Sequence, residues 1–130
     1  MEKKDMTVPA LAYLGDSVLE VCVRTYLVRE RGLSTSAHLN AAALDFVRAG
    51  AQSEAMGRIE PHLSEEEAVI YRRGRNVGHT SIPKNASVAE YRRATGMETL
   101  FGHLYLRGDT VRIDTLFRIG YGLDTPKGEV

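Results

Sequence analysis

Two carboxylates stand in stretches that otherwise read as helix packing faces. Asp16 lies in Ala10-Leu-Ala-Tyr-Leu-Gly-Asp-Ser-Val-Leu19, and Glu98 lies in Ala94-Thr-Gly-Met-Glu-Thr-Leu-Phe-Gly102. One helical turn from Asp16 are Ala12, Tyr13 and Leu19; around Glu98 are Ala94, Thr95, Phe101 and Gly102. A carboxylate withdrawn from water is costly unless it is paired, protonated or bound to a cation. If the two helices cross where Gly15, Gly96 and Gly102 let backbones approach, both acids reach one divalent cation. Hard oxygen donors point to magnesium or manganese. Glu20, four residues after Asp16 on the same face, is a possible additional ligand, and a Glu20 to Arg24 ion pair is an adequate structural explanation of it.

Other chemistries find no support. His38, His62, His79 and His103 form no close pair with zinc-site spacing, and the lone Cys22, between Val21 and Val23, reads as a core residue. No phosphate-binding glycine loop and no Gly-x-Ser-x-Gly elbow is present.

Helical spacing of apolar residues predicts the elements that must position the acids. The first helix is expected over residues 8–30, begun near Thr7 with Pro9 in its first turn and ended by Gly32. Its apolar residues wrap most of its circumference, so it is either central or turned toward a partner subunit. A second helix is expected from Ser34–Ser36 to about Met56, with Gly50 as a possible break and Pro61 barring its continuation. Ser64 with Glu67 forms a capping box for a third helix to about Arg73, which gives Glu65, Glu66 and Glu67 a structural role. Ser87 with Glu90 forms another, opening a helix to about Arg107. Asp109 or Thr110 caps a last helix to about Gly120, leaving a polar tail from about residue 124. Residues 74–86 are the longest stretch expected to be non-helical.

With 130 residues, the chain is expected to form one domain over 1–130 with a single core. Seventeen basic and seventeen acidic side chains cancel, so attraction to a polyanion must come from uneven placement of charge. That unevenness is visible, because no acid occurs from Ala68 through Ala89, while Arg72, Arg73, Arg75 and Lys84 do, with His79 among them. Such a block suits phosphate contacts, although a solvated loop has the same composition. The start, Met1-Glu-Lys-Lys-Asp5, has no apolar leader and no run is long enough to span a bilayer, so a cytoplasmic protein is expected.

Leu14-Gly-Asp-Ser-Val-Leu19 resembles the signature helix of the ribonuclease III family, and Glu98-Thr-Leu-Phe-Gly102 with Leu104-Tyr-Leu106 resembles that family's second acidic segment. The resemblance covers nearly the whole chain. Arg72-Arg-Gly-Arg-Asn76, Pro83-Lys-Asn85 and Tyr91-Arg-x-Ala-Thr95, with no double-stranded RNA-binding domain expected after residue 125, look most like its compact bacterial branch, Mini-ribonuclease III.

The resemblance implies an all-α catalytic-domain bundle, a homodimer with the signature helix near the interface, and magnesium-dependent cleavage of double-stranded RNA to 5′-phosphate and 3′-hydroxyl ends. It implies Asp16 and Glu98 as the metal-holding catalytic pair, and Arg72, Arg73, Arg75, Asn76, Lys84 and Asn85 as RNA contacts. It further implies a stem of precursor 23S (large-subunit) ribosomal RNA as substrate, with a ribosomal protein as a possible delivery partner. The chain departs from larger relatives at Pro9, Ala12 and Thr95, where they place acids. A catalytically silent structured-RNA-binding protein of the same fold, acting in ribosome assembly, is the alternative; a plain helical interaction module would need neither acid.

Overall fold

The computed structural model describes residues 6–77 and 87–124. Six α-helices follow in order: α1 (Val8–Arg29), α2 (Ser36–Val47), α3 (Ala49–Ile59), α4 (Glu65–Asn76), α5 (Val88–Leu106) and α6 (Thr110–Tyr121). A 3-10 turn, Glu60–His62, carries the chain from α3 toward α4. No strand occurs among the described residues.

Local chemistry sets most boundaries. The Thr7 hydroxyl accepts from Ala10 N at 3.2 Å to open α1, and Thr35 does the same for His38 N at 3.2 Å to open α2. Both expected capping boxes are formed. Ser64 N donates to Glu67 Oε1 at 2.8 Å and Glu67 N to Ser64 Oγ at 3.1 Å; both bonds of the Ser87–Glu90 box measure 3.1 Å. Asp109 caps α6, which ends on Gly122 with φ 65°, a left-handed conformation that glycine adopts without steric cost.

Three boundaries differ from the sequence pattern. The expected second helix is two helices, and the break is at Arg48, whose extended ψ of 148° both ends α2 and starts α3; Gly50 lies inside the first turn of α3. The third helix does not stop at Arg73. It continues to Asn76 because Gly74 packs against α5: a Cβ there would lie 2.4 Å from Thr99 Oγ1 and 2.9 Å from Gly96 Cα. This glycine marks a contact, not a terminus.

α5 is the hub, packed against α1, α3, α4 and α6. It buries Met97, Leu100, Phe101 and Leu104 against Leu19, Val23 and Leu27 of α1, Met56 and Ile59 of α3, Tyr71 of α4 and Phe117 of α6. Each such side chain contributes about 1.5–3 kcal/mol through burial. α1 buries one side only and leaves Tyr13, Val21 and Val28 exposed. Cys22 is half-buried beside the core, not within it, and burial pushes its thiol up to about 11, with the charge of Asp114 adding to the shift.

The α1–α5 crossing is closer than any side chain permits. A Cβ on Gly15 would sit 1.6 Å from the Glu98 carbonyl oxygen, and one on Gly102 would sit 2.1 Å from the Leu11 carbonyl oxygen. Gly96, expected at the same crossing, instead receives the Tyr71 ring of α4, where a Cβ would meet Cε1 at 2.6 Å.

Gly15→Ala and Gly102→Ala are therefore expected to destabilise the fold by about 3 kcal/mol or more, since neither opposing carbonyl can withdraw without moving a helix. Gly57→Ala, on α3 with nothing within 4 Å of the added carbon, is expected to stabilise by about 0.5–1 kcal/mol. Urea unfolding of the three variants measures both.

Candidate functional site

The glycine crossing brings Asp16 and Glu98 to one cavity of about 530 Å³. α1 contributes Tyr13 and Asp16, α3 contributes Ala49 and Gln52, and α5 contributes Tyr91, Ala94, Thr95 and Glu98. Asp16 is exposed at the rim and Glu98 is half-buried, so only one of the two acids is withdrawn from water, where the sequence pattern suggested both. No arginine, lysine or histidine among the described residues lines this cavity.

The electrostatic result is a strained pair. Burial first, then the facing charge of Asp16 and a hydrogen bond with it, push the Glu98 carboxyl up to about 8, while a hydrogen bond from the Gln52 amide opposes the rise. Gln52 is 3% exposed and is the residue that the sequence reading missed. Its signal was weak, a single amide in Ala49-Gly-Ala-Gln-Ser53 at a position that reads as an ordinary helix face. A buried amide needs a partner, and here it holds the carboxylate in place.

Pro9, Ala12 and Thr95, the three positions where larger relatives were expected to carry further acids, line this same cavity. Thr95 donates its hydroxyl to Tyr91 O at 3.0 Å. Glu20 is not part of the cavity lining, and its carboxylate accepts from Arg24 Nε at 3.1 Å. No group of three or more His, Cys, Asp or Glu in metal-holding proximity occurs among the described residues. The donor set fits a divalent cation nonetheless: two carboxylates repel each other in a cavity with no basic side chain, which is the imbalance such an ion removes.

The expected RNA contacts fall on several surfaces. Arg72 and Arg73 are exposed on α4 and make no ion pair among the described residues. Arg75 donates through Nε to Asn76 Oδ1 at 3.0 Å, and its guanidinium lies 5.6 Å from the Tyr71 ring centre. Lys84 and Asn85, with His79, lie outside the described residues. The glutamates that open α4 do structural work: Glu66 meets His103 and Arg107, and Glu67 takes a two-pronged contact from Arg112, both bonds 2.8 Å. No helix among the described residues is long and apolar enough to cross a membrane.

Known proteins share this architecture. Residues 9–109 match the Ribonuclease III domain family. The chain is 38% identical to Mini-ribonuclease 3 of Clostridium tetani over 89% of this chain and 77% of that one, and 43% identical to Mini-ribonuclease 3 of Desulfitobacterium hafniense over 85% and 69%. Among solved structures, an X-ray structure of a protein from Fusobacterium nucleatum superposes with a TM-score of 0.80 at 30% identity, covering 89% of this chain and 92% of that one.

The perturbed acid gives the metal-free protein a defined pH response. Glu98 ionises near 4.5 when unfolded and about 8 when folded, so its stabilising contribution is complete below about pH 4.5 and is lost as pH rises through about 8. Glu98→Gln should remove that loss. In chelator, the variant is expected to gain melting temperature over wild type at about pH 9, with a smaller gain at about pH 5. Thermal melts across that range check it, and a pH-independent difference would contradict it.

Proposed function

The chain belongs to the ribonuclease III family, in its Mini-ribonuclease III branch, and from that premise we propose that it is a metal-dependent endoribonuclease that cuts double-stranded RNA at the Asp16–Glu98 cavity. The observation that carries the site assignment is the uncompensated acid pair, held at one crossing and steered by a buried amide. Asp16 and Glu98 would hold magnesium, with manganese able to substitute. When bound, such an ion supplies Lewis-acid polarisation of the scissile phosphodiester and lowers the pKa of water in the cavity. Gln52 keeps the Glu98 carboxylate turned toward Asp16, and the Gly15 contact fixes the height of one helix on the other.

With two protein carboxylates in place of a larger acidic set, more of the ion's coordination positions are left to water and to RNA phosphate oxygens. Glu20, held by Arg24 away from the cavity lining, is not required in this reading. Arg72, Arg73, Arg75 and Lys84, with the amides of Asn76 and Asn85, would contact phosphates and sugars of an A-form duplex and read its shape more than its bases.

A homodimer places one acidic cavity on each strand. The support for it is a second concavity of about 520 Å³ between α1 and α6, lined by Val18, Cys22, Tyr26 and Phe117 and by the exposed side chains of Val21 and Tyr105. We further propose that the substrate is a stem of precursor large-subunit ribosomal RNA processed in the cytoplasm, with delivery by a ribosomal protein as part of that reading. A catalytically silent RNA-binding role is disfavoured by the acid pair, which a binding surface for a polyanion would not retain.

Asp16→Asn and Glu98→Gln are each expected to abolish magnesium-supported cleavage of long double-stranded RNA, by about a thousandfold or more, with the fold intact. Near-native rates in either variant, at matched protein and magnesium, would remove that residue from the site.

Thr95→Asp tests the cavity from its other wall. Adding an oxygen donor one turn from Glu98 should lower the magnesium concentration for half-maximal cleavage and deepen magnesium stabilisation in thermal melts. An unchanged magnesium response in a folded variant would contradict the assignment.

A further inference from the structure

A different face of α5 forms the wall of another concavity, about 600 Å³, closed on its far side by the end of α4. Arg75, Asn76, Arg92 and Arg93 line it, with Tyr71 in its wall and Glu60 its one acid among the described residues. Elsewhere, three arginines are neutralised by acids: Arg107 by Glu66, Arg112 by Glu67 and Arg118 by Glu30 and Asp114. Arg75, Arg92 and Arg93 make no ion pair among the described residues.

Two of them are nevertheless held in place. Arg75 donates to Asn76 Oδ1 at 3.0 Å with its guanidinium 5.6 Å from the ring centre of Tyr71, a residue 1% exposed, and Arg93 donates to Ser53 Oγ at 3.4 Å. Three guanidinia facing one carboxylate leave excess positive charge in a concave space. The first turn of α5, at Val88 and Ala89, adds backbone N–H groups outside its own hydrogen-bond ladder and the positive end of the helix dipole. Phosphate is the anion whose geometry suits a guanidinium fork.

We propose that this cleft seats a backbone phosphate of the same RNA duplex that enters the acidic cavity, with Arg92 and Arg93 joining Arg75 and Asn76 as its anchors; the inference rests on the nuclease reading above. Arg92 precedes Glu98 by six residues, roughly 9 Å of helical rise, so a phosphate held there fixes where along the strand the acids fall. Such a contact carries no base information and sets register instead. The anchors act on binding and not on the reacting atoms.

The test uses the full chain with a short blunt RNA duplex, binding being measured in chelator over a range of salt and cleavage in magnesium. Arg92→Ala, exposed and without an ion pair, should lower the slope of log affinity against log salt by about one, and Arg92→Ala with Arg93→Ala by about two, equally for duplexes of unrelated sequence. KM should rise several-fold with kcat retained. Arg93→Lys keeps the charge and serves if loss of the Ser53 contact unfolds the double variant; it should preserve most of the slope.

A wild-type slope and KM in folded Arg92→Ala and in the double variant would overturn the phosphate site and leave the nuclease reading standing. Loss confined to one duplex sequence would also overturn it, because it would mean base contact. Failure of the wild-type chain to bind or cut duplex RNA would defeat the nuclease reading and this inference together.

Discussion

The contact between Gly15 and the backbone of Glu98 sets the rest of this molecule. Helix axes normally stand 8–10 Å apart because side chains keep them there, and a hydrogen atom in place of a methyl removes that spacer. With Gly15 against the Glu98 carbonyl and Gly102 against the Leu11 carbonyl, α1 and α5 are locked at both ends of one short interface. Asp16 follows Gly15 directly, so its side chain leaves α1 beside the point of closest approach. The acid pair and the tightest packing contact occupy the same stretch of the same two helices.

That coincidence has an electrostatic consequence. A crossing this tight admits no lysine or arginine between the helices to compensate two carboxylates, and none among the described residues reaches the cavity from α3. The buried member of the pair answers by holding its proton until about pH 8. Under the proposed reading, a cation bound here would compete with that proton, so its affinity and the stability of the fold would be linked through one group. Gln52 moderates the cost from the third helix. It brings an amide to a carboxylate where a guanidinium would have cancelled the negative charge of the cavity.

Much of this was legible in the sequence, for reasons that differ from element to element. The capping boxes at Ser64 and Ser87 are local chemistry, readable within four residues, and they form as the spacing implies. The two acids were visible because apolar neighbours at helical spacing made them anomalous. Glycine was read less well, since the same residue ends helices and permits close packing. Gly15 and Gly102 were assigned to the right crossing, Gly96 and Gly74 belong to the α4–α5 contact, and Gly50 breaks nothing. Which role a glycine takes depends on what lies opposite, and that is tertiary information. Gln52 was missed on the same ground, because nothing in its own helix says that it faces an acid two helices further along the chain.

The placement of arginines separates scaffold from surface. Arg112 holds α6 to α4 through Glu67 and the His62 carbonyl, and Arg118 holds α6 to the end of α1 through Glu30, its guanidinium raised far above its ordinary range by that contact. Burial gives such pairs value only because each charge meets its partner with good geometry. Arg75, Arg92 and Arg93 have equal opportunity, with Glu60 lining the same cleft, yet form no ion pair among the described residues. In a chain of zero net charge, acids left without a basic partner, as at the Asp16–Glu98 cavity, leave as many bases unmatched elsewhere. Arg75, Arg92 and Arg93 stand together on the α4–α5 face, so α5 carries acids at one cavity and guanidinia at the next.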